Sequence, residues 1–371
     1  ALIGSVIASM SPQYPNLQAD AGRIDTIATG EEEAFRQTLR SGTTVFDTAV
    51  ANTKSRGATT MSGAEAFALH DTYGFPIDLT LELAAEAGLQ VDRSGFTELM
   101  TEQRQRAKAD AVARKAGVTP LTAYREVMEG AGETEFTGYD QWESEARVKG
   151  LLVDGESVRT AAAGQSVEVV LDRSPFYAEA GGQLGDHGVI RLDDGTTLRV
   201  DDVQIPVPGL WVHRAQVIDG EAAVGAPAVG AVDVERRRAI SRAHTATHMI
   251  HKTFREMLGD TATQMGSENA PGRLRFDFPF PKAVPDSVLQ DAEAHVNQML
   301  LEDMTVTARY MTQAEALQMG AMALFGEKYG DTVRVVSVGD WAHELCGGTH
   351  AHRSGQLGVV SFVSEGSIGS G

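Results

Sequence analysis

The chain has 371 residues, 42% of them hydrophobic and 22% charged, which is ordinary for a soluble globular protein and enough for more than one domain. Its formal net charge of −19 argues against nonspecific binding to a polyanion, because a uniformly acidic surface repels phosphate, but it leaves room for a local basic groove. A single cysteine, Cys346, excludes an intramolecular disulfide and fits a reducing cytoplasm; no apolar run approaches a membrane span, and the opening ALIGSVIASMSPQYP lacks the basic start of a signal peptide.

Residues 18–50 carry the helical period: in EEEAFRQTLRSGTTVF, apolar Ala34, Phe35 and Leu39 recur at helix spacing beside acids. A second helix is expected after Ser62, through Ala64, Phe67 and Ala68. The segment HDTYGFPIDLT breaks it, since Gly74 and Pro76 do not continue a helix. Asp78 or Thr80 is expected to cap the next helix, LTLELAAEAG, which stops at Gly88. Residues 97–115 are helical and highly charged. Residues 1–115 therefore predict an all-α bundle, and the Gly, Thr, Pro and Glu mixture of 116–137 predicts connecting chain.

The pattern then changes. VKGLLVDGESV, SVEVVLDRSPF, GVIRLDDGTTLRV and WVHRAQVIDG are short β-rich runs separated by Asp-Gly and Gly-Glu turns, which predicts an antiparallel, barrel-like subdomain over 138–230. A long helix follows, with Asp233 as N-cap, Gly259 as stop, and Ala243, Ala246, Ile250, Phe254 and Met257 in one apolar stripe. In RLRFDF, Leu274, Phe276 and Phe278 point to one face of a strand, and Arg273, Arg275 and Asp277 to the other. DSVLQDAEAHVNQMLLED predicts a helix; TVTARYMT, DTVRVVSVG and LGVVSFVSEG predict strands. Residues 231–371 are thus expected to form a two-layer α+β domain, and the chain as a whole an α+β multidomain protein. Arg236, Arg237, Arg238 and Arg242, and likewise Arg104, Arg106, Lys108, Arg114 and Lys115, read first as solvated helix faces.

His244 and His248, in AHTATHMIH, lie four apart and share one helix face, so both imidazoles can reach one ion. Cys346 and His350, in ELCGGTHAH, lie four apart on a turn whose glycines allow tight folding. Three imidazoles and a thiolate match the tetrahedral preference of Zn²⁺. The plain alternatives are a core cysteine with scattered histidines, or a zinc that is purely structural. A zinc protease is excluded by HTATH itself, which has no glutamate beside the first histidine to act as general base.

RAHTATHMIH followed by ELCGGTH, with RSPFYAEAGGQLGD upstream and LRFDF between, resembles the editing domain of alanyl-tRNA synthetases and their free-standing relatives. The HxxxH and CxxxH pair also recurs in threonyl-tRNA synthetase editing domains. LHDTYGFPIDLT resembles the end of the alanyl enzymes' tRNA-recognition region. The resemblance implies one zinc held by His244, His248, Cys346 and His350, and a deacylase that hydrolyses tRNA(Ala) mischarged with serine or glycine. It implies that Thr247 reads the serine hydroxyl, that Gln264 belongs to the editing pocket with Cys346, and that Gly181, Gly182 and Gln183 flank it on the substrate side. Asp71 is the candidate contact to the G·U pair of the acceptor stem. Glu268 departs from the pattern, where family members usually carry a hydrophobic residue. Nothing in the sequence resembles an aminoacylation core. The start without Met and the end at SIGSG read as cuts in a longer chain, so tRNA charging, with its ATP and alanine sites, is expected to lie in a missing domain. The alternative is an acceptor-stem binding module with a structural zinc and no turnover.

Overall fold

The computed structural model describes residues 2–115, 119–280, 283–322 and 330–367. The side chains of 106–115, and with them most of the Arg104–Lys115 basic cluster, lie outside the described set. Two compact units result, residues 1–116 and residues 117–365.

The first unit is helical: α1 (Leu2–Met10), α2 (Asn16–Ala19), α3 (Ala21–Ser55), α4 (Gly63–Asp71), α5 (Ile77–Glu86) and α6 (Arg93–Lys115). Ser62 starts α4 with a capping box, its hydroxyl accepting from the Glu65 N–H while the Glu65 carboxylate accepts from the Ser62 N–H. The break after α4 has a packing purpose. Phe75 N–H donates to the Leu69 carbonyl at 2.9 Å, and the Phe75 ring enters a core with Phe46, Met61, Leu69, Ala84 and Leu89. Gly42 of α3 makes room for that ring, since a Cβ there would lie 2.1 Å from it. The expected cap is corrected. Helix α5 begins at Ile77 behind Pro76, with Asp78 already inside its first turn and Thr80 buried. Proline before N1 pre-sets the entry, and no side chain is needed to cap it.

In the second unit, the expected connecting chain is instead structured. Helix α7 (Leu121–Ala131) packs Tyr124 and Val127 on Leu152, Val170, Leu210 and Val212, and the Tyr124 hydroxyl donates to Glu168 at 2.8 Å. Its apolar face was masked in the sequence by flanking Gly, Pro and Glu. Glu135–Phe136 then pairs in parallel with Arg173–Ser174.

The β-rich region is a closed barrel. Strands β1 (Glu143–Val153), β3 (Ser166–Leu171), β4 (Gly188–Leu192), β5 (Thr197–Val207), β6 (Leu210–Asp219) and β7 (Pro227–Val232) pair in the order β1-β3-β6-β5-β4-β7, and β7 returns to β1. The short β2 (Glu156–Val158) extends β1. Strand alternation decides which side chains fill the interior: Val167, Val169 and Leu171 of β3 face inward, while Val170 faces α7.

His213 of β6 is fully buried in this barrel. Its Nδ1–H donates to the Val169 carbonyl at 2.8 Å, and its Nε2 accepts from the Ser174 hydroxyl at 2.7 Å. Burial pushes its pKa down from the ordinary 6.5 to about 4. The unfolded chain therefore binds the proton first as pH falls, so stability is full above pH 6.5 and lost as pH drops toward 4. Between pH 7 and pH 5 the loss is about 2 kcal/mol from this group. Urea unfolding of wild type and His213→Gln at the two pH values checks it. Equal pH dependence in both proteins would remove His213 as the cause.

Helix α8 (Val234–Leu258) follows the barrel. Asp233 caps it, accepting from the Arg236 N–H at 3.0 Å, and Gly259 ends it at φ +95°. Ala243, Ala246, Ile250 and Phe254 are buried as expected, but Met257 is exposed at the last turn. Arg237 is no solvated cation. It is buried, and its guanidinium binds the Asp186 carboxylate and donates to the carbonyls of Gly138 and Pro175 at 2.7 Å each. The first turn of α8 is thereby locked to the barrel.

Hairpin β8 (Gly266–Ala270) and β9 (Arg273–Asp277), helix α9 (Asp286–Leu301) and the sheet β10 (Val306–Thr312), β11 (Thr332–Val338), β12 (Ala342–Leu345) complete the unit, with α10 (Gln313–Gln318) after β10. Met249, Ile250 and Phe254 of α8 meet Ala292, Val296 and Leu300 of α9, and Val338 and Ala342 of the sheet. Glu268 fits a regular strand: it projects away from Ser267 and Asn269 and pairs with Arg273 at 2.5 Å. The expected strand at LGVVSFVSEG is corrected. Residues 358–367 form no ladder; Val360 and Phe362 turn inward against α9, Val359 and Val363 turn outward, and Asn297 takes the backbone of Val360 through its side-chain amide. The alternation was real, but side chains replace the partner strand.

Candidate metal centre

Helix α8 presents His244 and His248 from consecutive turns, and the chain leaving β12 brings Cys346 and His350 to meet them. The Cys346 N–H donates to the Arg334 carbonyl at 3.0 Å, continuing the β11–β12 ladder one step to the ligand itself. One ligand atom from each of the four residues lies within 4.8 Å of all the others. Cys346 Sγ is 3.4 Å from His244 Nε2 and 3.3 Å from His350 Nε2. Tetrahedral zinc with ordinary Zn–N and Zn–S bonds requires ligand separations of roughly 3.3–3.6 Å. The donor set fits zinc in type, and the two separations from Cys346 Sγ fall in this range.

The turn is held from outside. Arg334 donates to the carbonyls of Cys346 at 2.8 Å and Gly348 at 2.9 Å, its guanidinium lies 4.1 Å over the Tyr139 ring, and the Tyr139 hydroxyl donates to the Gly347 carbonyl at 2.6 Å. With three successive carbonyls drawn outward, the Gly348 N–H is left to donate to Cys346 Sγ at 3.3 Å. A Cβ at Gly348 would fall 2.1 Å from the His244 ring, so only glycine lets the turn approach.

Burial holds all three imidazoles below their ordinary pKa, His244 and His350 well below; the Arg334 charge pushes the same way at each, and Glu344 opposes it at His248. They are neutral at pH 7, the form that ligates metal. His244 Nδ1–H donates to Gln183 Oε1 at 2.8 Å, and His350 Nδ1 meets the Thr245 hydroxyl at 3.1 Å. These contacts fix ring orientation and leave Nε2 toward the cluster.

Gln183 is therefore placed otherwise than expected. It is fully buried, its Oε1 also accepts from the Thr349 N–H at 2.9 Å, and its Nε2 donates to the Thr349 hydroxyl at 2.8 Å. Buried and engaged at both amide atoms, it orients His244. Gly181 and Gly182, at φ +58° and +77°, form the tight turn between Ala180 and Gln183. Gly182 rests on Ser267, where a Cβ would lie 2.2 Å from the hydroxyl oxygen, and its carbonyl accepts from the Asn269 N–H at 2.7 Å. Thr247 is buried on α8 and donates to Asn269 Oδ1 at 2.6 Å. Gln264 is half-buried and donates to the Ser267 hydroxyl at 3.1 Å. Hydrogen bonds thus run from Thr247 through Asn269 to Gly182, and from the adjacent Gln183 to His244. Asp71 belongs to the first unit, exposed at the end of α4 and accepting from Gln103. Glu344 and His251 escaped the sequence reading. Glu344 approaches His248 and His251. The only signal was His251 continuing the His244–His248 face one turn further.

Comparison with known proteins gives the class to which this fold and site belong, the tRNA synthetases. The profile described as tRNA synthetases class II (A) matches residues 1–236, and that of the threonyl and alanyl tRNA synthetase second additional domain matches residues 333–371. The chain belongs to the class II (A) tRNA synthetases, in the alanyl-tRNA synthetase family. It is 61% identical to the alanine–tRNA ligase of a Nocardioides species over 98% of its length, and 59% identical to that of Acidothermus cellulolyticus over all of it. With the Streptomyces avermitilis ligase the identity is 55% over the whole chain. The chain spans 40%, 41% and 42% of those three relatives, respectively. Class II synthetase sequence over residues 1–236 corrects the expectation that nothing here resembles the synthetase proper. Among the described residues, no helix is long and apolar enough to cross a membrane.

Proposed function

We propose that this chain proofreads for alanine–tRNA ligation by hydrolysing the ester that joins serine, and with less help from the protein glycine, to tRNA(Ala). The observation that carries the reading is the convergence of His244, His248, Cys346 and His350 within 4.8 Å of one another, with Thr247 on the same helix as the first two. A ligase pocket built for alanine discriminates poorly against one hydroxyl or one missing methyl, and a second hydrolytic site is the general remedy.

The Thr247 hydroxyl has its donor directed to Asn269 Oδ1 or the Ala243 carbonyl, and its oxygen can accept the hydrogen of a serine hydroxyl. Gln264, half-buried beside Ser267, borders the same pocket, and the Gly181–Gly182 turn lets backbone approach the tRNA end. His244, His248, Cys346 and His350 would hold a zinc ion, which would supply positive charge beside the ester. Asp71, exposed on the first unit and accepting from Gln103 through Oδ1, is the candidate contact to the acceptor stem. Four protein ligands also close a tetrahedral shell, which favours a second reading, a structural zinc in an acceptor-stem binding module.

Release of serine from Ser-tRNA(Ala) tests the proposal. Wild-type protein is expected to exceed the spontaneous rate, and Thr247→Val to slow serine release about tenfold, the worth of one lost hydrogen bond, while glycine release changes little. Tight tRNA binding without release would leave only the binding module.

A further inference from the structure

Glu344 stands two residues before Cys346 and is buried, as is His251. The carboxylate divides its oxygens. Oε1 accepts from His251 Nδ1–H at 2.9 Å, and Oε2 lies 3.4 Å from His248 Nε2. His251 packs its ring 5.4 Å from Phe276, and its Nε2 has no hydrogen-bond partner among the described residues. An anion this deep is costly unless something compensates it.

The compensation is visible in the charge count. A divalent ion with one thiolate and three neutral imidazoles leaves one positive charge in a buried site, and Glu344 supplies one negative charge beside it. The other ligands lean on neutral groups: His244 on Gln183, His350 on Thr245, Cys346 on the Gly348 N–H. Of the four ligands, His248 is the one that faces an anion. We propose that Glu344, steered by His251, is the charge-balancing carboxylate of the metal centre, held beside His248. This rests on the metal site of the proposed function, not on its substrate.

The full chain carrying Glu344→Gln, Glu344→Asp or His251→Gln is compared with wild type by zinc competition against a chromogenic chelator and by the visible spectrum after Co²⁺ loading. Glu344→Gln is expected to weaken zinc binding about 10–100-fold and shift the cobalt bands. His251→Gln is expected to weaken it less, Glu344→Asp to recover part of the loss, and the melting temperature of the metal-free protein to stay the same. Unchanged zinc affinity and cobalt spectrum in Glu344→Gln overturn the proposal. So does a melting temperature that falls equally with and without metal, which marks a purely structural carboxylate. Wild-type protein that takes up no zinc overturns the metal site and this role together. Zinc uptake without serine release sinks the deacylase reading alone and leaves Glu344 judged by its own data.

Discussion

Cys346→Ala is expected to leave the purified protein without zinc and to bring serine release from Ser-tRNA(Ala) down to the spontaneous rate. The thiolate is the one anionic ligand of the four, and it is 3.3–3.4 Å from the nitrogens of two others. A structural zinc site supplies roughly 10–16 kcal/mol of apparent binding free energy. A quarter of that, about 3 kcal/mol, corresponds to about a hundredfold in affinity. Losing the sulfur also removes the acceptor for the Gly348 N–H, so the turn loosens as the ligand goes. Zinc-to-protein ratio after passage over a weak chelator, measured beside hydrolysis, decides the matter. A variant that keeps one zinc per chain would mean that the cluster is held together by packing, with the metal elsewhere.

Asp186→Ala is expected to cost about 3–5 kcal/mol, because it strands the Arg237 guanidinium in the protein interior. The carboxylate also accepts from the Tyr177 N–H at 2.7 Å, so a barrel loop loses its anchor in the same step. For a unit of this size the loss amounts to about 10 °C in melting temperature. The double variant Asp186→Leu with Arg237→Met is expected to recover most of it, since no charge then stays buried. Thermal unfolding of both proteins gives the answer. A single variant that melts within a degree or two of wild type is incompatible with the buried pair as described.

Much of the site was legible because its residues come in two local pairs. His244 and His248 declare a shared helix face, and Cys346 with His350 declare a tight turn, whatever the rest of the chain does. Gln183 was legible as a neighbour of the site but not in its role: a glutamine after two glycines reads as a substrate contact until both ends of its amide are seen to be taken by His244 and Thr349. Arg237 misled for a related reason. Four arginines on one helix look alike in sequence, and only the barrel loop carrying Asp186 singles one out for burial. The segment 358–367 had strand alternation but no strand to pair with, so period alone overstated it.

The sequence by itself determined what depends on neighbours along the chain. It set the periods of α3, α8 and α9, the Ser62 and Asp233 caps, the stop at Gly259, and the donor types offered to a metal. Tertiary structure alone decided which of these meet. About a hundred residues separate the two halves of the cluster, and only the packing of α8 against β12 brings them within bonding distance of one ion. The same packing placed Glu344 beside His248 and sent α7 onto the barrel. Hydrogen bonds and van der Waals contacts act over a few ångströms, so local spacing fixes elements, while burial and charge balance settle only once distant elements share one core.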